Sequence, residues 1–150
     1  MEWLFKLCGS VMVVAASFAA GYMKSYELRQ RGRRLADLCR GLTGLKERIR
    51  MGGGEIERLV AESFENGLIK ADGDFSVDGR WLDEKDVALI YEYLTDIGMT
   101  DSESEYNRTE LYIKLLSKNR DEAEEKCVEL CRVYNAAGLL GGIFICIFFL

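Results

Sequence analysis

The sequence predicts an all-α fold. It reads as a cytoplasmic antiparallel helical bundle with a transmembrane helix at each end, the last helix running long and unbroken into the membrane. Three observations predict it. The 150 residues contain no proline, so no helix is obliged to kink or stop. Charge is absent from Leu7–Met23 and from Val133–Leu150. Between these ends, apolar residues recur at spacings of three and four, which is the period of one helix face.

The first apolar run, seventeen residues bounded by Lys6 and Lys24, meets the short limit of a spanning helix, about 17 residues. A cleaved signal peptide is the rival reading, since Ser17-Phe18-Ala19 and Ala19-Ala20-Gly21 are small-residue sites. Charge decides between them. Lys24, Arg29, Arg31, Arg33 and Arg34 follow the run, while Glu2 and Lys6 alone precede it. A cationic flank stays in the cytoplasm. The expected topology is therefore N-terminus out, body in, and C-terminus out or within the bilayer. The five basic residues are candidates for contact with lipid headgroups, each worth about 1 kcal/mol beside an anionic surface.

Leu28, Leu35, Leu38, Leu42, Leu45 and Ile49 then form a heptad seam. The seam could pack within the chain or pair with a second copy as a homo-oligomeric coiled coil. Gly32, Gly41 and Gly44 weaken it in isolation, each by up to about 1 kcal/mol against alanine. Gly52-Gly53-Gly54 ends the helix. It is no phosphate loop, because Glu55-Ile56-Glu57 follows in place of Lys-Ser/Thr. The next helix is expected over Glu55–Asn66, with Ile56, Leu59, Val60 and Phe64 inward and Gly67 as its stop.

Leu68–Leu82 is the least periodic stretch and reads as a polar loop with Phe75 and Trp81 folded onto the core. Asp74, Ser76, Asp78 and Gly79 match the start of a calcium loop, but its twelfth position is Lys85 where a bidentate Glu is needed. Asp83 caps a helix carrying Val87, Ile90, Tyr91, Leu94 and Ile97, and Gly98 ends it. At the turn, Thr100 and Glu103 have capping-box spacing, flanking Asp101. The last helix, if continuous from Thr100, is roughly 75 Å long at about 1.5 Å per residue. Its stripe is Leu111, Tyr112, Leu115, Leu116, Ala123, Cys127, Leu130, Cys131 and Tyr134, thinning over Ser117–Asp121. Gly138, Gly141 and Gly142 allow close approach by another helix, either Ser17 and Gly21 of the first anchor or a different subunit.

Three segments follow from hydropathy: 1–23 as anchor, 24–132 as cytoplasmic domain and 133–150 as the second membrane helix. Charge divides the body again. Lys24–Arg50 holds nine Lys/Arg against three acids, a net of +6, whereas Met51–Arg132 holds ten against twenty-one, a net of −11. A basic arm beside an apolar segment favours anionic lipid over nucleic acid. The chain has no histidine, no nucleophile motif and no Walker lysine, so neither an enzyme nor a cofactor is expected. Five cysteines at Cys8, Cys39, Cys127, Cys131 and Cys146 form no secreted disulfide framework and are expected as reduced thiols.

The layout resembles the stage III sporulation protein AB family. The likeness rests on the leucine-seamed helix ending Ile49-Arg50-Met51-Gly52, on Ile97-Gly98-Met99-Thr100-Asp101-Ser102-Glu103, and on Arg132-Val133-Tyr134-Asn135-Ala136-Ala137-Gly138-Leu139-Leu140-Gly141-Gly142 with its apolar tail. The chain departs from the family pattern in lacking a proline over Met51–Glu55 and in its Asp72–Gly79 segment. The resemblance implies a non-catalytic platform in the mother-cell membrane. There it would belong to a channel complex similar to type II secretion, docking a cytoplasmic ATPase and other membrane subunits. A generic membrane-tethered adaptor, or a calcium-sensing module built on Asp74–Asp78, is the alternative.

Overall fold

The computed structural model describes residues 2–52, 54–64 and 67–149; the side chains at 2–7, 10, 13, 17, 139, 142, 143 and 145–149 lie outside that description. The chain is mostly helical with one small two-stranded sheet. In order the elements are α1 (Glu2–Arg50), α2 (Ile56–Ser63), β1 (Ile69–Ala71), β2 (Phe75–Val77), α3 (Glu84–Thr95) and α4 (Ser102–Phe149). They fall into two compact units, Gln30–Glu122, and Met1–Arg29 with Ala123–Leu150. Hydropathy and packing thus divide the chain at different places.

In the unit 30–122 the leucine seam supplies the core. Leu35, Leu38, Leu42, Leu45 and Ile49 are at most 5% exposed. They pack against Leu59, Val60 and Phe64 around α2, Ile69 of β1, Ile90, Tyr93 and Leu94 of α3, and Leu116 of α4. The seam is covered within one chain. Gly41 has a positive use here, because a Cβ on it would sit 2.2 Å from the Phe64 ring. The intrinsic cost of that glycine in a helix is offset by the aromatic packing it admits.

α2 stops at Ser63, short of the expected Asn66. Phe64 leaves the helical region (φ −119°, ψ 49°) and buries its ring; Glu65 and Asn66, like Gly53 of the glycine run, lie outside the described residues. The next stretch corrects the all-α expectation. Ile69 pairs with Val77, Lys70 with Ser76 and Ala71 with Phe75 in an antiparallel hairpin, with Gly73 at φ +77° in its tip. Leu68 and Ile69 are buried, so the peptide groups beside them need partners away from water, and a ladder supplies them. Strands of three residues are too short to display a period of two. α2 packs on β1 and α3 on β2. Phe75 packs against the core, whereas Trp81, at φ +68°, is 45% exposed.

α3 begins after Asp83 as expected, and the Asp86 carboxylate accepts the Asp83 N–H at 3.2 Å. Its inward face differs from the apolar reading. Tyr93 is 1% exposed and Asp86 is fully buried, while Tyr91 is 42% exposed. α4 starts at Ser102, and its cap is Asp101, whose carboxylate accepts the Ser104 N–H at 3.3 Å. The Thr100–Glu103 capping box does not form: Thr100 bonds Glu105 instead, and Glu103 is exposed. Along α4 the buried positions are Glu105, Thr109, Leu116, Ala123 and Cys127, whereas Leu111 and Leu115 of the expected stripe face outward. Among the described residues, no helix has a stretch long and apolar enough to cross a membrane. Both uncharged ends include side chains outside the description.

Candidate functional site

Two polar clusters and one close helix contact organise the chain. The first cluster centres on Asp86. Burying a lone carboxylate is costly, and the structure answers with four donors. Arg31 of α1 reaches it with Nε at 2.8 Å and Nη2 at 3.2 Å, Asn119 of α4 donates at 2.8 Å, and the Asp83 N–H completes the set. Arg31 also lies 2.9 Å from Asp83. The Asp86 hydrogen bond raises the Arg31 pKa above the ordinary guanidinium value. The bidentate fork fixes geometry as well as charge, so α1, α3 and α4 meet at one point.

The second cluster lies at the Gly98–Asp101 turn. Gly98 takes φ +83°, and a Cβ there would come 2.9 Å from Ile56; an open left-handed position beside a neighbour calls for glycine. Glu105, 2% exposed, accepts from the Gly98 N–H at 3.4 Å and the Thr100 hydroxyl at 3.1 Å. Arg108 lies 3.7 Å from the same carboxylate oxygen. It donates to the Tyr93 and Asp96 carbonyls at the end of α3, where helix carbonyls run short of backbone donors. The guanidinium also stands over the Tyr93 and Tyr112 rings. Thr109 shares a 2.9 Å hydrogen bond with the Tyr93 hydroxyl.

Burial pushes the Tyr93 phenol up to about 12. A group that keeps its proton longer when folded stabilises the fold below its unfolded pKa and stops doing so as pH rises through the folded one. Stability should therefore drop between about pH 10 and pH 12, by up to about 3 kcal/mol. Urea unfolding across that range measures it, and Tyr93→Phe should flatten the drop. An unchanged slope in the variant would assign the loss to another group.

The close helix contact belongs to the unit formed by 1–29 and 123–150. A Cβ on Gly21 of α1 would fall 2.3 Å from the Tyr134 ring of α4, and one on Gly138 would fall 3.0 Å from Phe18. Each glycine accepts an aromatic ring from the facing helix. One turn along, the Ser25 hydroxyl and the Cys131 thiol are 3.3 Å apart, Arg29 donates to Cys131 at 3.7 Å, and the Cys127 thiol donates to the Ser25 carbonyl at 3.6 Å. The hydrogen bond with Ser25, and then that from Arg29, lower the Cys131 pKa. Cys8, Cys39, Cys127 and Cys131 are free thiols.

The other singled-out residues are distributed as follows. Lys24 pairs with Glu27 at 3.0 Å on the surface, and Arg33 is exposed. Arg34 is half-buried, 3.8 Å from Asp78. Arg31 is 11% exposed and committed to Asp86, which removes it from the set able to meet a headgroup. Gly141 has open space around it; Ser17 and Gly142 lie outside the described side chains. The calcium pattern is not a binding loop. Ser76 sits in β2 opposite Lys70, Asp74 accepts the Phe75 N–H, and Arg80 holds Asp78 below the usual carboxylate range. No group of three or more metal-ligating side chains gathers among the described residues.

Sequence reasoning missed Asp86, Asn119, Glu105 and Arg108. The only signal available was their spacing on α3 and α4, where apolar residues would have completed the inward faces. Comparison with curated proteins and with solved structures returned no match. Residues 57–150, which carry α3, the Gly98–Asp101 turn and the whole of α4, match the family model of stage III sporulation protein AB. With well over half its length matched, the chain belongs to the stage III sporulation protein AB family, and its role is in sporulation.

Proposed function

We propose that the chain is a non-catalytic membrane platform of a sporulation channel complex, anchored in the mother-cell membrane by its two helical ends. The acidic body faces the cytoplasm and docks the complex's ATPase, while the anchors contact neighbouring membrane subunits. The observation that carries this reading is the antiparallel meeting of the two uncharged ends, Gly21 against Tyr134 and Phe18 against Gly138. A helix pair packed through glycines and aromatic rings suits lipid, where close backbone approach takes over from hydrophobic exclusion as the source of association. Basic residues then follow the first run directly, as the cytoplasmic flank of an inserted helix does. The acidic excess over 51–132 suits a basic docking surface on the partner.

The test is orientation. Arg29→Glu, Arg33→Glu and Arg34→Glu together are expected to scramble insertion, read as a mixed protease-protection pattern in inverted vesicles. Arg31 is left in place, because a carboxylate there would face Asp83 and Asp86 and report on folding instead. An unchanged protection pattern, or recovery of the chain from the aqueous fraction without detergent, overturns the proposal.

A further inference from the structure

The unit formed by 1–29 and 123–150 contains two grooves that join. One, of about 230 Å³, is lined by Ser25, Arg29, Cys131, Tyr134 and Asn135 together with Phe18 and Tyr22. The other, of about 560 Å³, is lined by Val11, Val14, Ala15 and Ala19 and shares the same Phe18 and Tyr22. A polar end with a cation thus passes into an extension whose described lining is mostly apolar. Arg29 is the cation. Its hydrogen bond goes to the Cys131 thiol, whereas Arg31 and Arg34 have carboxylate partners. Among the described residues no carboxylate pairs with Arg29, and no acidic side chain lines either groove.

We propose that this groove holds one anionic glycerophospholipid, its phosphate at Arg29 and Ser25 and one acyl chain along Val14, Ala15 and Phe18. This rests on the membrane reading above and goes beyond it, replacing a diffuse basic collar at Arg29 with a defined site. The chemistry selects the occupant. A guanidinium with no acid beside it favours net negative charge, and a zwitterionic headgroup would bring an ammonium to a site with no carboxylate to receive it. A small free anion would use the polar end alone and leave the apolar extension empty.

The test uses the full chain in two kinds of vesicle, phosphatidylglycerol with phosphatidylethanolamine, and phosphatidylcholine alone. The expected result is partition into both, with one phosphatidylglycerol per chain retained after detergent extraction and counted by native mass spectrometry. Alkylation of Cys131, followed by peptide mapping, should be at least about tenfold slower in the anionic vesicles, since the lipid headgroup covers it. Arg29→Gln should lose both the retained lipid and the protection while the chain still sediments with the vesicles. Ala15→Trp, which fills the apolar extension at a position open to its surroundings, should do the same by blocking the acyl chain. Partition without selective retention, or retention unchanged by both variants, overturns the lipid site and leaves the membrane reading standing. Displacement of the protection by inorganic phosphate also overturns it in favour of a free-anion site. Failure to partition into either vesicle overturns the membrane reading itself.

Discussion

Asp86→Ala is expected to destabilise the unit 30–122 by about 3–5 kcal/mol, the cost of stranding a buried charge whose partner has gone. The charge left behind is Arg31, 11% exposed, which keeps the surface carboxylate of Asp83 at 2.9 Å. Asn119 loses its acceptor at the same time. Arg31→Met should cost a similar amount, because it leaves the carboxylate with amide donors alone. The double variant Arg31→Met/Asp86→Leu should cost much less than the two singles added, since apolar replacement of a whole buried pair is often near neutral. Urea unfolding of the full chain, followed by helical ellipticity, measures all three. Additive losses below about 1 kcal/mol each would mean that the pair behaves as a solvent-exposed contact. The effect is large because a domain holds only about 5–15 kcal/mol in total.

Gly21→Leu is the second large effect, and it is confined to the unit formed by 1–29 and 123–150. Even a Cβ at this position would overlap three atoms of the Tyr134 ring, the nearest at 2.3 Å, so the ring and the helix behind it must give way. Overpacking of this kind costs about 1–3 kcal/mol. The neighbouring Ser25–Cys131 contact reports it. Ser25→Cys places two thiols where a hydroxyl and a thiol now lie 3.3 Å apart, and mild oxidation should join them. Adding Gly21→Leu is expected to cut that cross-linking several-fold, and adding Tyr134→Ala should restore it by making room. Cross-linking undiminished by Gly21→Leu would show that the helices do not meet at this glycine.

The leucine seam of α1 was visible because its inward positions are occupied by leucine and isoleucine at spacings of three and four. The continuous last helix was visible because nothing in its sequence stops it. The inward face of α4 was legible only in parts, since it passes through Glu105, Thr109 and Asn119 as well as Leu116, Ala123 and Cys127. Polar residues on a helix are expected in water, so the stripe seemed to thin over Ser117–Asp121 where it in fact continues through Asn119. The same substitution of polar for apolar hid Asp86 on α3 and drew Tyr91 into a face that belongs to Tyr93.

By itself, the sequence determined the helical class, the order of the helices, the two uncharged ends and the charge division between arm and body. All of these follow from local composition and period, which a chain carries whether folded or not. Tertiary structure alone decided that Arg31 serves Asp86, that Glu105 and Arg108 close the turn at Gly98, and that Gly21 receives Tyr134. It also decided that 69–77 forms a hairpin. A buried polar group is tolerated only where distant partners satisfy it, and a three-residue strand forms only where a neighbour supplies its ladder. Arg31 and Asn119 lie 55 and 33 positions from Asp86, and the hairpin, whose pairing is local, is held between α2 and α3, so no short window of sequence contains either condition.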